Sequence, residues 1–247
     1  MAFHSIDELI KLSKRENKEI WEIVAKTDSS ERGVSFDETY ETMRHMYLAM
    51  KEADDSYDES LRSASGLAGG DGAKLEAFRK QENRLIGDFL TEVMAKAVKM
   101  GESNACMRRI VAAPTAGACG VIPAVMLTYA EQKNISEDKM VEALFVAGGI
   151  GEIIAENASI AGAEGGCQAE IGTAAAMAAG ALTYLEGGDH EMIGSAVALS
   201  LKNMMGLTCD PVAGLVEVPC IKRNVFGAVN AVIASQMVMA GVKSHIP

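Results

Sequence analysis

The fold class of this chain is indicated by residues 171–185, which read IGTAAAMAAGALTYL. The run carries no charge, and most of its side chains are alanine or glycine. Such a composition suits helices that pack closely, whereas strands favour β-branched and aromatic residues. A second alanine-rich run covers residues 225–242. We therefore predict an all-α fold, a multi-helix bundle with alanine- and glycine-rich helices at its centre and cysteine-bearing loops.

The overall composition supports a helical protein. Of 247 residues, 49% are hydrophobic and only 5% are aromatic, while 24 are glycine and 15 methionine. Residues 1–60 are predicted to form an amphipathic helical layer. Its helices begin at the capping boxes of Ser5 and Ser35, and the first is predicted to continue to Val24. A further long helix is predicted over 75–99, with Phe78, Leu85 and Ile86 facing inward, among other apolar residues. Ser136 and Asp189 are predicted to cap two more helices.

Charge and cysteine content exclude several classes of protein. A net charge of −11 argues against binding to nucleic acid, which requires a basic surface. Residues 110–130 are uncharged and long enough to span a bilayer, but prolines and glycines interrupt them and no cluster of basic residues flanks them. We expect a buried segment and no membrane span. Five cysteines without a secretory leader do not predict a disulfide framework, so we expect a cytoplasmic protein.

The segment Cys209–Cys220 carries the clearest chemical signal. It is bracketed by two cysteines, and Pro211, Gly214 and Pro219 prevent it from forming a helix or a central strand. A third cysteine, Cys167, is also flanked by glycine. Thiolates are the usual protein ligands of iron–sulfur clusters, so three cysteines in such loops indicate a metal or iron–sulfur site.

Less specific interpretations of the reactive residues remain open. A free cysteine is often a small buried apolar residue, and Cys106 and Cys119 are predicted to lie in the core. The carboxylates of Glu164, Glu170, Asp210 and Glu217 could each act as a base, although acidic residues are common near helix N-termini for electrostatic reasons alone. The segment 63–74 is rich in serine and glycine but lacks the Gly-Lys-Ser/Thr of a phosphate loop. It is predicted to be a flexible hinge or a place where another backbone approaches closely.

Three blocks of the sequence resemble motifs of the bacterial iron–sulfur L-serine dehydratases. The blocks are APTAGACGVIPA at 113–124, NASIAGAEGGCQAEIG at 157–172 and GLTCDPVAGLVEVPCIKRN at 206–224. They occur in the order typical of that family, and the resemblance covers residues of about 62 to 240. The chain therefore resembles a single alpha-chain domain, 1–247, in which the N-terminal helices precede a cluster-binding core at 62–240.

The resemblance implies a chemistry and a set of ligands. It implies a [4Fe–4S] cluster held by Cys167, Cys209 and Cys220, with one iron left open for the substrate L-serine. The reaction expected of the family converts L-serine to pyruvate and ammonia. Asn157, Ser159, Gln168 and Glu170 are expected to contact the substrate or support the site, because they are grouped with a ligand cysteine.

The resemblance also implies a partner. The SSSHT-type motif of the family's beta part and the terminal cysteine of its fused form do not occur in this sequence. A beta subunit is therefore expected to complete the enzyme. Two alternatives stay open, a related cysteine desulfidase with the same cluster and a non-catalytic helical subunit that only binds a partner.

Overall fold

The computed structural model of the chain describes residues 2–82 and 84–246, and within these ranges the regular structure is helical, with no strand. The all-α prediction is therefore confirmed. The helices of the described residues are α1 Ile6–Glu16, α2 Ile20–Arg32, α3 Phe36–Asp55, α4 Asp71–Arg79, α5 Asp88–Ala105, α6 Val121–Lys133, α7 Glu137–Asn157, α8 Gly162–Gly165, α9 Cys167–Leu185, α10 His190–Met204 and α11 Cys220–Met239.

Helix α9 lies at the centre of the bundle, as its composition predicts. Every residue from Ile171 to Tyr184 is buried, so the helix has no solvent-facing side over this stretch. Helices α6, α7, α10 and α11 pack around it. Close packing against α11 depends on Gly227, where a Cβ atom would lie 2.6 Å from Cγ2 of Ile171. The small residues of both helices therefore let their axes approach each other.

The predicted helix starts are confirmed at all four capping residues. Side-chain oxygens of Ser5, Ser35, Ser136 and Asp189 each accept a hydrogen bond from a backbone N–H in the first turn. The first predicted helix, however, is divided into α1 and α2. Asn17 adopts a left-handed conformation with φ of 52°, a common way to end a helix. The prediction of one helix continuing to Val24 was wrong for this reason.

The single long helix predicted over 75–99 was also wrong. Helix α4 ends at Arg79 and α5 begins at Asp88, after Gly87 in an extended conformation. Leu85, predicted to face inward, is fully exposed, and Phe78 and Ile86 lie on the surface as well. An apolar periodicity cannot by itself show where a helix is interrupted, because apolar residues also occur in exposed connections.

The segment 110–130 is largely buried, and Val121 to Ala130 form the enclosed part of α6. None of the helices in 2–82 and 84–246 is long and apolar enough to cross a membrane. Cys119 lies in the core with 1% of its surface exposed. Cys106, predicted to be a core residue, is only half-buried at the end of α5, so that prediction was wrong.

Candidate functional site

Two of the three predicted ligand cysteines are the first residues of long helices. Cys167 opens α9, and Cys220 opens α11. Gly166, directly before Cys167, has φ of 77° and ψ of 179°, a conformation that is open essentially to glycine alone. Unpaired N–H groups and the helix dipole make a helix N-terminus favourable for negative charge. The helix N-termini therefore favour negative charge at these two cysteines, whereas burial, which raises the pKa of both thiols, opposes it.

The third cysteine, Cys209, lies in the connection between α10 and α11 and is exposed. Its backbone nitrogen lies against the start of α9, because a Cβ atom added at Gly166 would be 3.4 Å from it. Burial raises the pKa of Cys167 and Cys220, that of Cys220 to about 11, and Cys209 adds to the increase in both. The structure thus brings Cys167 to the later part of the chain that contains Cys209 and Cys220.

Arg223 supplies positive charge beside these thiols. Its Nη1 donates a hydrogen bond to Sγ of Cys167 at 3.0 Å, and it forms an ion pair with Asp210 at 2.5 Å. This guanidinium lowers the pKa of Cys167, against the larger effect of burial. Arg223 lies one turn after Cys220 on α11, so this helix provides one thiol and also the guanidinium that contacts the thiol at the start of α9.

The three cysteines were predicted to hold a metal or an iron–sulfur cluster, and these two kinds of site place different demands on the thiols. Among the described residues, no three His, Cys, Asp or Glu side chains are placed to share a single metal ion. In an iron–sulfur cluster the thiolates bind different iron atoms and need not converge on one point. An iron–sulfur cluster at these three cysteines therefore stays a prediction, one that does not require the thiols to meet at a single ion.

A buried amide, that of Asn224, joins the turn at 115–120 to the start of α11. Its Nδ2 donates to the carbonyls of Gly117 at 2.8 Å and Cys220 at 3.1 Å, and its Oδ1 accepts from the N–H of Gly120 at 2.8 Å. Only 1% of its surface is exposed. Sequence reasoning did not single out Asn224. The available signal was a polar residue one turn after a predicted ligand, on the buried side of a helix.

Glu170 connects the same turn to α9. Its carboxylate accepts a hydrogen bond from the hydroxyl of Thr115. Two glycines make room for it, since a Cβ atom at Gly117 or Gly162 would lie 2.5 or 2.9 Å from its oxygens. Its charge raises the pKa of both Cys167 and Cys220. Of the four predicted substrate-contacting or supporting residues, Glu170 is thus placed beside the thiols with its charged group.

The other three predicted residues, Asn157, Ser159 and Gln168, form hydrogen bonds to other parts of the chain. The amide of Asn157 donates to the carbonyls of His4 and Ile153, and thus binds the N-terminal segment to α7. The hydroxyl of Ser159 donates to Glu164 and accepts from the N–H of Ala161, at the start of α8.

Gln168 binds the connection that leads to Cys209. Its side-chain Oε1 accepts a hydrogen bond from the backbone N–H of Gly206 at 2.8 Å, and its backbone N–H donates to the carbonyl of Leu207 at 2.8 Å. These bonds hold the chain before Cys209 against the start of α9, where Cys167 lies. A role for Gln168 in supporting the site therefore agrees with its contacts, whereas contact with a substrate stays a prediction.

Comparison with known proteins adds a finding independent of this geometry. Residues 15–247 match the family model described as serine dehydratase alpha chain. A protein of Bacillus subtilis named probable L-serine dehydratase, alpha chain, is 42% identical over 245 residues, which cover 99% of this chain and 82% of the relative. A protein of the same name from Latilactobacillus sakei is 46% identical over 160 residues, 65% of this chain and 77% of the relative. The L-serine dehydratase of Streptomyces coelicolor is 38% identical over 253 residues, 98% of this chain but only 54% of the relative.

Proposed function

Because the chain belongs to the serine dehydratase alpha-chain family, we propose that it is the alpha subunit of an iron–sulfur L-serine dehydratase. The proposed reaction converts L-serine to pyruvate and ammonia. The observation that carries the proposal is the placement of Cys167 and Cys220 at two helix N-termini, with Arg223 of α11 bonded to Cys167 and Cys209 beside Gly166. Separated thiols of this kind are a chemically reasonable donor set for a [4Fe–4S] cluster.

We assign each group of residues a role in binding the cluster or in transferring a proton. When bound, a cluster with an open iron supplies Lewis acidity towards the hydroxyl group of L-serine. The N-termini of α9 and α11, together with Arg223, stabilise the negative charge of the thiolates. Glu170 is our candidate for the base that accepts the α-proton, because its carboxylate is oriented by Thr115 next to the cysteines. Loss of the α-proton and the hydroxyl group leaves an enamine, which becomes an imine and is hydrolysed to pyruvate and ammonia.

A second polypeptide is part of the proposal. The relatives from Bacillus subtilis and Latilactobacillus sakei are named alpha chains, a name that implies a second kind of chain. Large apolar side chains are exposed near the proposed site, with Val216 in the cysteine segment 54% exposed and Phe226 on α11 69% exposed. Apolar surface beside a site is typical of a protein–protein contact. We infer that a beta chain covers this face and supplies polar groups that orient the substrate.

The decisive experiment is anaerobic reconstitution of the purified chain with iron and sulfide, followed by measurement of pyruvate formed from L-serine. The assay is run with and without a separately expressed beta chain from the same organism. We expect turnover only with both chains, and we expect it to decay in air and return with Fe²⁺ and thiol. Robust turnover by this chain alone would refute the need for a partner.

Two further outcomes separate the alternatives. Pyruvate formation from L-cysteine that greatly exceeds that from L-serine would identify a desulfidase. A chain that binds no iron under these conditions, yet associates with the beta chain, would be a non-catalytic subunit. Either result would refute the proposed function.

A further inference from the structure

Residues 63–72, SASGLAGGDG, form a segment that the proposed function does not yet explain. We call it the serine–glycine segment. It connects the N-terminal helices to α4 and lies directly against the Cys209–Cys220 segment. The contacts between the two involve buried or partly buried polar groups, so they are not incidental surface contacts.

Glu217 is the main link between the two segments. It lies between Cys209 and Cys220, and only 9% of its surface is exposed. Its Oε2 accepts hydrogen bonds from the hydroxyls of Ser63 at 2.7 Å and Ser65 at 2.6 Å. Hydrogen bonds to an ionised carboxylate are stronger than bonds between neutral groups. The carboxylate therefore fastens the cysteine segment at a point three residues before Cys220.

The serine–glycine segment is itself held to the bundle by a second buried carboxylate. Glu102 of α5 is 1% exposed. It accepts from the backbone N–H groups of Gly69 at 3.2 Å, Asp71 at 2.8 Å and Gly72 at 3.1 Å, and from the hydroxyl of Tyr57 at 2.6 Å. These bonds hold the segment in place. The sequence predicted either a flexible hinge or a close approach of another backbone, and the structure shows the close approach: a Cβ atom at Gly69 would overlap the carbonyl oxygen of Leu61.

A third set of contacts lies just beyond Cys220. Lys222 forms an ion pair with Asp71 at 2.9 Å. Ile221 packs with Ala68 and Val98 in a small apolar cluster. Contacts before and after Cys220 therefore both lead to the serine–glycine segment, and through it to α5.

We propose that Glu217 is a positioning residue, which fixes the Cys209–Cys220 segment to the serine–glycine segment and so holds the two thiols in place for cluster binding. Without this link, the part of the segment just before Cys220 would lose its attachment to the serine–glycine segment, although the ion pair of Asp210 with Arg223 would remain. The inference rests on the proposed function for the role of the thiols. Its test uses the iron-free chain and does not require activity.

The test measures the alkylation rates of Cys209 and Cys220 by iodoacetamide in the reduced, iron-free chain, resolved by peptide mass spectrometry. Because Glu217→Ala removes two charge-assisted hydrogen bonds, we expect alkylation of Cys220 to become about tenfold faster or more. Glu217→Gln keeps an acceptor oxygen while removing the charge, so its rate is expected to stay within about threefold of the parent rate. Comparing Glu217→Ala with Glu217→Gln separates the effect of losing the two hydrogen bonds from the effect of losing the negative charge on thiol reactivity.

Two more variants complete the design. The double variant Ser63→Ala/Ser65→Ala leaves Glu217 in place and is expected to accelerate alkylation in the same direction, which keeps the test valid if Glu217→Ala fails to fold. The matched control is Ser60→Ala, because the Ser60 hydroxyl donates to the nearby Asp58 at 2.6 Å but not to the cysteine segment. Ser60→Ala is expected to leave both alkylation rates unchanged.

Unchanged rates in both folded Glu217→Ala and the double serine variant would overturn the inference. After reconstitution, Glu217→Ala should also lose iron to a chelator faster than Glu217→Gln, and equal loss rates would count against the inference as well. If the alkylation rates change as expected but the reconstituted parent chain turns over no L-serine even in the two-chain assay, the proposed function fails while the positioning role of Glu217 stands.

Discussion

Replacement of Asn224 by alanine is a direct test of how the turn at 115–120 is joined to α11. The substitution removes three hydrogen bonds and leaves the buried N–H of Gly120 without its acceptor. An unsatisfied buried donor costs about 1–3 kcal/mol, and the cavity left by the amide adds to this. We therefore expect the free energy of unfolding to fall by about 2–4 kcal/mol in total.

The effect can be measured by urea and thermal unfolding of the iron-free chain. For a protein of this size, the expected loss corresponds to a melting temperature lower by roughly 5–15 °C. The control is Asn203→Ala, since Asn203 is exposed and its amide bonds only weakly to Asn230 at 3.3 Å. That change should alter the free energy of unfolding by less than about 0.5 kcal/mol.

Hydrogen exchange shows whether the loss of stability in Asn224→Ala arises at the turn that Asn224 joins to α11. Hydrogen exchange at the N–H of Gly120 should accelerate in Asn224→Ala, while exchange in the centre of α9 should change only as much as global stability does. A loss below about 0.5 kcal/mol, the range of ordinary surface substitutions, would show that the amide does not join these elements and would refute the reasoning.

Three further predictions concern the thiols, the proposed base and the packing of the central helices. Cys209→Ser should abolish iron retention after anaerobic reconstitution while Cys106→Ser retains it, and the reverse result by iron analysis would refute the ligand assignment. Glu170→Gln should keep the iron but lower kcat by about 10²–10⁴-fold in the two-chain assay, and an unchanged kcat would exclude this residue as the base. Gly227→Ala should destabilise the chain by about 1–3 kcal/mol, because its Cβ would lie 2.6 Å from a side chain of α9. Gly148→Ala, with 3.8 Å of clearance, should instead be neutral or stabilise by up to about 1 kcal/mol in the same unfolding assay.

Local signals in the sequence were sufficient for much of the fold. Capping by Ser35, Ser136 and Asp189 requires only residues within the first turn of each helix, so a short window of sequence contains the cause. The alanine-rich composition of 171–185 likewise predicts a central helix, because small side chains without charge have no reason to face water. Interruptions were harder to predict. The break between α4 and α5 leaves Leu85 fully exposed, which no apolar periodicity indicates.

The candidate site was predictable only in part. The resemblance to a family and the proline and glycine flanks singled out Cys167, Cys209 and Cys220. In the structure Arg223, one turn after Cys220, bonds to Cys167, and Cys209 lies beside Gly166. The same grouping by sequence proximity also selected Asn157, whose amide instead binds His4. Asn157 and Cys167 are only ten positions apart, but α7 ends and the backbone turns between them, so closeness in sequence does not place both side chains at the same site.

The residues that hold the site together could be found only in three dimensions. Asn224 meets Gly117 across 107 positions of sequence, Glu170 meets Thr115 across 55, and Glu217 meets Ser63 across 154. The helical character of each segment follows from its own residues, because helix hydrogen bonds and caps are local. Which buried carboxylate or amide meets which turn depends instead on how α5, α9 and α11 pack, since only their packing brings these distant polar groups within hydrogen-bond distance.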